Sequence, residues 1–244
     1  MRNISILFVL CFALISCQKE NMGDCFKSTG LVQREKRTLE PFDSLIIHKR
    51  MNLFLIEDSV DFVEIEAGNN LFENIITENE FGTLTIENTN KCNWVRSYKT
   101  PVNIYLHYTQ MDKIVAWGST NITGTDSLRY DSLFIEMRDA AGNVDLTFSN
   151  KAVFIAQHTG ANDIFLKGKT QNLSVYSADL GYGDYIKLEA QNVFAESNSV
   201  ADNYFNASET IRLITRNSGS LYYTGEAEIL LKDRQGEGTI SRIY

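Results

Sequence analysis

Short apolar-x-apolar triplets recur along the second half of the chain, at Ile114/Ala116, Leu133/Ile135, Val153/Ile155, Leu173/Val175, Val193/Ala195, Ile211/Leu213 and Ile229/Leu231. Their first members lie 19, 20, 20, 20, 18 and 18 residues apart. A second series runs between them, at Ile122, Val144/Leu146, Ile164/Leu166, Ile186/Leu188, Phe205/Ala207, Leu221/Tyr223 and Ile240. Alternation with period two marks a strand, so each unit of about 20 residues carries two very short strands. A strand pair this small cannot bury its own apolar face, whereas stacked units bury a continuous core. The pattern predicts an all-β fold: a right-handed parallel β-helix, or β-solenoid, with about 20 residues per turn. Its hand follows from the usual strand twist and crossover preference. Helical repeats are disfavoured because i, i+3, i+4 spacing is scarce, and the leucine-rich-repeat frame does not recur.

Polar turn residues punctuate the strands at matching places: Gly118 and Asn121, Gly142 and Asn143, Gly160 with Asn162 and Asp163, Gly183 and Asp184, Asp202 and Asn203, Gly219, and Gly238. Gly, Asn and Asp tolerate left-handed backbone angles and pair with turn backbone groups. Asp163, Asp184 and Asp202 form a column whose oxygens offer a weak calcium site as the alternative to turn structure. No dense acidic loop accompanies them, and turn structure is the favoured reading. Upstream of residue 111 the chain stays strand-like at residues 45–47, 52–57, 62–66, 83–87 and 102–108, and Val63/Ile65, Leu84/Ile86 and Ile104/Leu106 again sit about 20 apart. Asn70 to Ile76 reads as a short helix, with Asn70 as cap and Glu73 at the capping-box position, placed to cover an open coil end. A single domain is expected over residues 28–244, with amino-terminal strands and capping helix in 28–110 and regular repeats in 111–244.

The first 16 residues, MRNISILFVLCFALIS, hold one charge and then an apolar run too short to span a bilayer, as in a secretory signal. Leu14-Ile15-Ser16-Cys17 resembles a bacterial lipobox, and the polar run Gln18-Lys19-Glu20-Asn21 follows at once. Residues 1–16 are therefore expected to be removed, Cys17 to carry lipid, and 17–27 to form a lipid-anchored tether. Cys25 and Cys92 are the remaining thiols of the exported part. An even pair in an oxidising compartment points to a disulfide, worth about 4 kcal/mol in the loop-entropy model.

The chain has 244 residues with 23 basic against 31 acidic, a formal charge of −8. Without a basic run, and with Arg34, Lys36 and Arg37 interrupted by Glu35, it offers no footprint for nucleic acid. His48, His107 and His158 are dispersed without metal-ligand spacing, and no catalytic or nucleotide motif is present, so no cofactor is expected. Tyrosines cluster in the later units at Tyr176, Tyr182, Tyr185, Tyr204, Tyr222 and Tyr223. Tyr182, Tyr185, Tyr204 and Tyr222, beside the Asn and Asp turns, are the candidate ligand-facing residues, suited to stacking on sugar rings. Phe134, Phe154 and Phe194 stand between inward positions and so face out on one sheet. They are expected to lie under the amino-terminal strands or beside the lipid, and left open they would mark a partner surface.

A family resemblance rests on Asp24-Cys25-Phe26 with Gly30, Glu35/Arg37, Phe42-Asp43-Ser44-Leu45-Ile46, Gly68-Asn69-Asn70-Leu71 before Ile75, Gly82-Thr83-Leu84-Thr85-Ile86, Cys92, and the turns Gly118-Ser119-Thr120-Asn121-Ile122 and Gly160-Ala161-Asn162-Asp163-Ile164. In this order they resemble the head GIN domain family of auto-transporter adhesins, exported or lipid-anchored proteins with a pectin-lyase-like β-helix. The resemblance implies a non-enzymatic adhesion or glycan- and matrix-binding module on the outer membrane, and it supplies no catalytic residue. Two alternatives stand beside it: a polysaccharide lyase or hydrolase using a groove along one face, and a self-associating envelope scaffold.

Overall fold

The computed structural model describes residues 28–91 and 101–243. The expected signal and tether, the lipidation residue Cys17 and the pair Cys25 and Cys92 lie outside these residues. In chain order the strands are β1 (Val32–Thr38), β2 (Ser44–His48), β3 (Met51–Glu57), β4 (Phe62–Gly68), β5 (Ile75–Glu80), β6 (Thr83–Asn88), β7 (Asn103–Tyr108), β8 (Lys113–Trp117) and β9 (Thr120–Leu128). They continue with β10 (Ser132–Arg138), β11 (Asn143–Gln157), β12 (Asp163–Asp179), β13 (Tyr182–Asp184), β14 (Leu188–Ser199), β15 (Asn203–Thr215), β16 (Leu221–Thr224), β17 (Glu228–Arg234) and β18 (Ile240–Arg242). The result is a β-solenoid of about 6 turns, about 20 residues apart.

Each turn passes through two faces. On face one, β6, β2, β8 and β10 stack in parallel, followed by the carboxy-terminal parts of β11, β12, β14 and β15 and then β17. On face two, β7, β3 and β9 stack, followed by the amino-terminal parts of β11 and β12, then β13, the start of β15, β16 and β18. Long strands such as β11 serve both faces. Val144, Leu146 and Phe148 point inward, the phase breaks around residues 149–152, and Val153 and Ile155 point inward again.

Parallel register turns the sequence repeat into ladders. Leu84, Leu45, Ile114, Ile135, Ile155, Val175, Ala195 and Leu213 align across successive strands and are all buried. On face two, Ile104, Leu53, Ile122, Val144 and Ile164 do the same. Each such side chain contributes about 1.5–3 kcal/mol when removed from water, an upper estimate because the unfolded chain is itself partly collapsed. The ladder two positions along face one changes chemistry midway. Ile86, Ile47, Ala116 and Met137 give way to Gln157, Ser177, Ser197 and Thr215, all buried. These polar groups satisfy the turns beside them: the Gln157 amide donates to Asn162 O and Tyr182 O, Ser177 Oγ donates to Gln157 Oε1, and Thr215 Oγ1 donates to Gly219 O. Buried turn backbone needs such partners.

Three expectations change. Ile114 aligns with Ile135 and not with Leu133, so the first repeat step is offset by one alternation. The amino-terminal triplets are not successive turns: β4, with Val63 and Ile65, runs antiparallel to β7, while β6 and β7 carry the other two triplets on different faces of one turn. The turn formed by β2 and β3 is used on both edges, by β6 and β7 on one side and β8 and β9 on the other. Finally, residues Asn69–Asn74 form a 3-10 helix whose N-cap is Gly68, without a side-chain cap bond. Its Leu71 joins the core, and the coil end itself is closed by β4 on β7, β1 on β4 and β5 on β6, all antiparallel.

Candidate functional site

Residues between inward positions face solvent, and stacking converts them into surface rows. On face two one such row aligns Asp145, Phe165, Asp184, Tyr204 and Tyr222. Tyr182 stands in the adjacent row, in register with Asp163. Four rings thereby form a continuous ladder: Phe165 to Tyr182 at 5.9 Å, Tyr182 to Tyr204 at 6.0 Å, and Tyr204 to Tyr222 at 5.0 Å between centroids. The last pair is stacked at 19°, and the other two are tilted at 52° and 55°.

That geometry decides what the rings offer. Tyr204 and Tyr222 turn their faces toward each other, so their edges and hydroxyls, rather than open stacking platforms, meet solvent. Burial first, then Asp184, raises the Tyr182 phenol above its ordinary pKa, and burial followed by Asp202 does the same for Tyr204. Both phenols therefore stay protonated as donors at neutral pH. The Asp184 carboxylate accepts the Ile186 backbone N–H at 3.1 Å and Asp202 accepts that of Ser220 at 2.8 Å. These two aspartates of the weak calcium column hold turns. Among the described residues no three His, Cys, Asp or Glu side chains gather around one point.

Tyr185 is a correction. It is fully buried and packs on Phe205 at 5.3 Å, so it is not ligand-facing. Gly183 explains this: it occupies the inward position of its strand without a side chain, and a Cβ there would come within 2.5 Å of the Tyr185 ring. Tyr185 fills the space in place of the expected Ile186. Tyr223 is buried too, whereas Tyr182, Tyr204 and Tyr222 are half-buried at the surface. Phe165 was not singled out by the sequence, although the middle-residue rule applied to Ile164/Leu166 points to it.

Face one carries the phenylalanines. Phe154 and Phe194 are each 41% exposed, and Phe134 is half-buried with Lys113 Nζ 5.2 Å from its ring. The amino-terminal strands do not lie over them, because β1, β4 and β5 extend the edges of the coil rather than crossing its face. Among the described residues no helix is long and apolar enough to cross a membrane.

Residues 41–227 match the family described as "Putative auto-transporter adhesin, head GIN domain". The chain belongs to this family. A crystal structure of a "putative adhesin" from Bacteroides fragilis shares 25% identity and a TM-score of 0.79 over 87% of this chain and 97% of that one. A "putative adhesin" from Parabacteroides merdae (17% identity, TM-score 0.65, 89% and 98% covered) and a "Putative lipid binding protein" from Parabacteroides distasonis (16%, 0.56, 87% and 97%) are similar in fold alone. No curated protein matches. The match to the head GIN domain spans the solenoid from Phe42 through the Tyr222 end of the aromatic ladder, so the ladder is built on the family's own scaffold.

Proposed function

We propose that this chain is a non-enzymatic, lipid-anchored binding module of the bacterial envelope. In this reading face two holds a neutral, hydroxyl-rich polymer, such as a glycan, lying along the coil. The observation that carries it is the ladder Phe165, Tyr182, Tyr204 and Tyr222, whose three tyrosine hydroxyls recur on successive strands beside Asp163 and Asp184. A row of donors and acceptors with a fixed repeat suits a ligand with its own repeat, and multiple weak contacts add along it. The surplus of carboxylates on this face repels polyanions. Membership of an adhesin family supports a binding role, and the lipobox-like Leu14–Cys17 with Gln18 supports attachment to the outer membrane through Cys17.

The test is a screen of immobilised neutral and charged glycans and matrix proteins, with calcium and with chelator, comparing the protein with its Y204A/Y222A variant. Saturable, calcium-independent binding of a neutral glycan that falls at least tenfold in the variant is expected. Binding that survives Y204A/Y222A, or that needs calcium, would overturn the assignment to the ladder. Incorporation of labelled fatty acid that is lost in C17S is expected for the anchor, and incorporation that persists would remove it.

A further inference from the structure

On the outer side of face one, Glu136, Ala156, Tyr176 and Glu196 align in one row. Ala156 is the small member. Its outward neighbours along the strand are Phe154 and His158, and across the strands Glu136 and Tyr176, so four large side chains border a shallow depression whose floor, the Ala156 methyl, is only 8% exposed.

The rim is chemically unusual. Glu136 faces outward, yet its side chain is only 7% exposed. It is enclosed by Arg138, with Nε 2.8 Å from Oε1, His158 Nε2 at 3.0 Å, and Lys113 Nζ at 3.5 Å. Burial opposes ionisation of Glu136, but the hydrogen bond and charge of Arg138, with Lys113, outweigh it and hold the carboxyl below the usual carboxylate range. Each partner also leans on an aromatic ring. Lys113 lies 5.2 Å from the Phe134 centroid, Arg138 lies 5.6 Å from that of Trp117, and the His158 ring lies 5.7 Å from Tyr176. His48 stacks on Trp117 from the neighbouring strand at 6.0 Å. One carboxylate thus faces two permanent cations and a histidine, leaving local positive charge on a chain of net −8. Lys113, Arg138 and His158 nonetheless keep 44%, 43% and 39% of their side-chain surface open. Their geometry is fixed in advance by Glu136 and the rings, which lowers the ordering cost of binding.

We infer that the depression over Ala156 binds the ring of an acidic sugar, with its carboxylate paired to Arg138 and Lys113 and its apolar ring surface against Phe154 and Tyr176. Arg in a rigid setting suits a carboxylate, and exposed aromatic side chains suit the C–H face of a pyranose. This surface is independent of the face-two ladder and prefers an anionic ligand where the ladder prefers a neutral one.

Calorimetric titration of the purified protein with polygalacturonate oligomers, dextran sulfate and neutral dextran tests it. Polygalacturonate is expected to bind, neutral dextran not, and affinity is expected to fall with added salt. A156L, which fills the depression, is expected to weaken binding at least tenfold while the circular dichroism of the folded coil is retained. E136Q, which keeps an oxygen acceptor for Arg138 and so its orientation but removes the competing charge, is expected to strengthen it several-fold, an effect that a merely structural Glu136 would not produce. Y204A/Y222A is expected to leave polygalacturonate binding intact, which separates this site from the ladder. No binding of polygalacturonate, or binding indifferent to A156L, would overturn the inference. Equal or tighter binding of dextran sulfate would overturn the carboxylate preference, pointing to a general anion surface.

Discussion

Replacing Tyr185 by Phe should make this protein more stable, and the gain should grow with pH. The Tyr185 ring is fully enclosed between the Gly183 backbone and Phe205, and its hydroxyl has no hydrogen-bond partner. Burying a hydroxyl without a partner costs about 1–3 kcal/mol, while the ring packing is kept by Phe, so Y185F should gain roughly 1 kcal/mol or more at pH 7. Burial, and secondarily Asp184, also drives the phenol pKa far above its ordinary value of 10.0. The unfolded chain ionises near pH 10 while the folded chain does not. This linkage is therefore neutral below pH 10 and stability is lost as pH rises beyond it, by about 1.4 kcal/mol per pH unit for each such group. Tyr108, likewise buried and without a hydroxyl partner, adds an equal slope. Tyr130, pushed up to about 12, adds to the wild-type slope as well, so the quantity that isolates Tyr185 is the difference: above pH 10 Y185F should lose up to about 1.4 kcal/mol per unit less than the wild type. Urea unfolding between pH 7 and 11 measures both. A Y185F variant less stable than wild type at pH 7, or one with an unchanged alkaline slope, would refute the reasoning by revealing a partner for the hydroxyl or an open ring.

Two further outcomes follow from close backbone approach and from the coil end. Gly168 has φ +100° and a Cβ there would lie 2.1 Å from Phe148 O, whereas Gly82 has φ +80° with nothing within 4 Å. By urea denaturation G82A should cost about 1 kcal/mol and G168A at least twice that, since it adds a backbone clash to the same conformational penalty, and equal losses would contradict the register of β11 on β12. On β17, the last strand of face one, Lys232 stands in register with the buried Leu213 but is itself exposed, and it donates to Tyr223 Oη at 3.2 Å. K232L should therefore expose an uninterrupted apolar edge with Ile229 and Leu231 and produce concentration-dependent assemblies by light scattering, and a strictly monomeric K232L at high concentration would count against this role.

The solenoid was legible because its cause is local and repeated. A triplet such as Val153/Ile155 states which residues point inward, and parallel stacking then makes neighbours of residues one turn apart. What escaped the pattern are places where the chain departs from repetition. Val63/Ile65 alternates like any rung, and nothing in its composition tells an antiparallel closing strand from a parallel one. The Ile114–Ile135 register depends on a turn one residue longer than the next. From the sequence alone Tyr185 reads as a surface tyrosine, because the decisive fact is an absent side chain at Gly183, two residues earlier, whose space the ring fills. Tyr182, Tyr204 and Tyr222 are visible as a cluster, but which of them stack depends on strand register, which pairs Tyr204 with Tyr222 and sets Tyr182 in the adjacent row. Glu136 sits one residue beyond its triplet, and its enclosure comes from Lys113, Arg138 and His158 on three successive rungs.

The same stacking explains why one scaffold can display two surfaces of opposite character. An inward substitution is tested by the core on both neighbouring rungs, so inward ladders change only where a matching partner changes, as when Met137 meets Gln157 and the polar series begins beside the turns it serves. An outward residue is constrained by the surface side chains around it and by water rather than by the core, so rows drift more freely: asparagines at Asn103, Asn52 and Asn121 bonded in series, then Asp163 and Tyr182, on the same side of the coil. Face two accumulates phenols and carboxylates, and face one accumulates aromatics with Lys113 and Arg138, without either affecting the core between them. Binding specificity in such a coil is set by rows rather than by a pocket, so substitutions at Tyr204 and at Ala156 should act on different ligands and combine additively, as sites on opposite faces with no shared partner do.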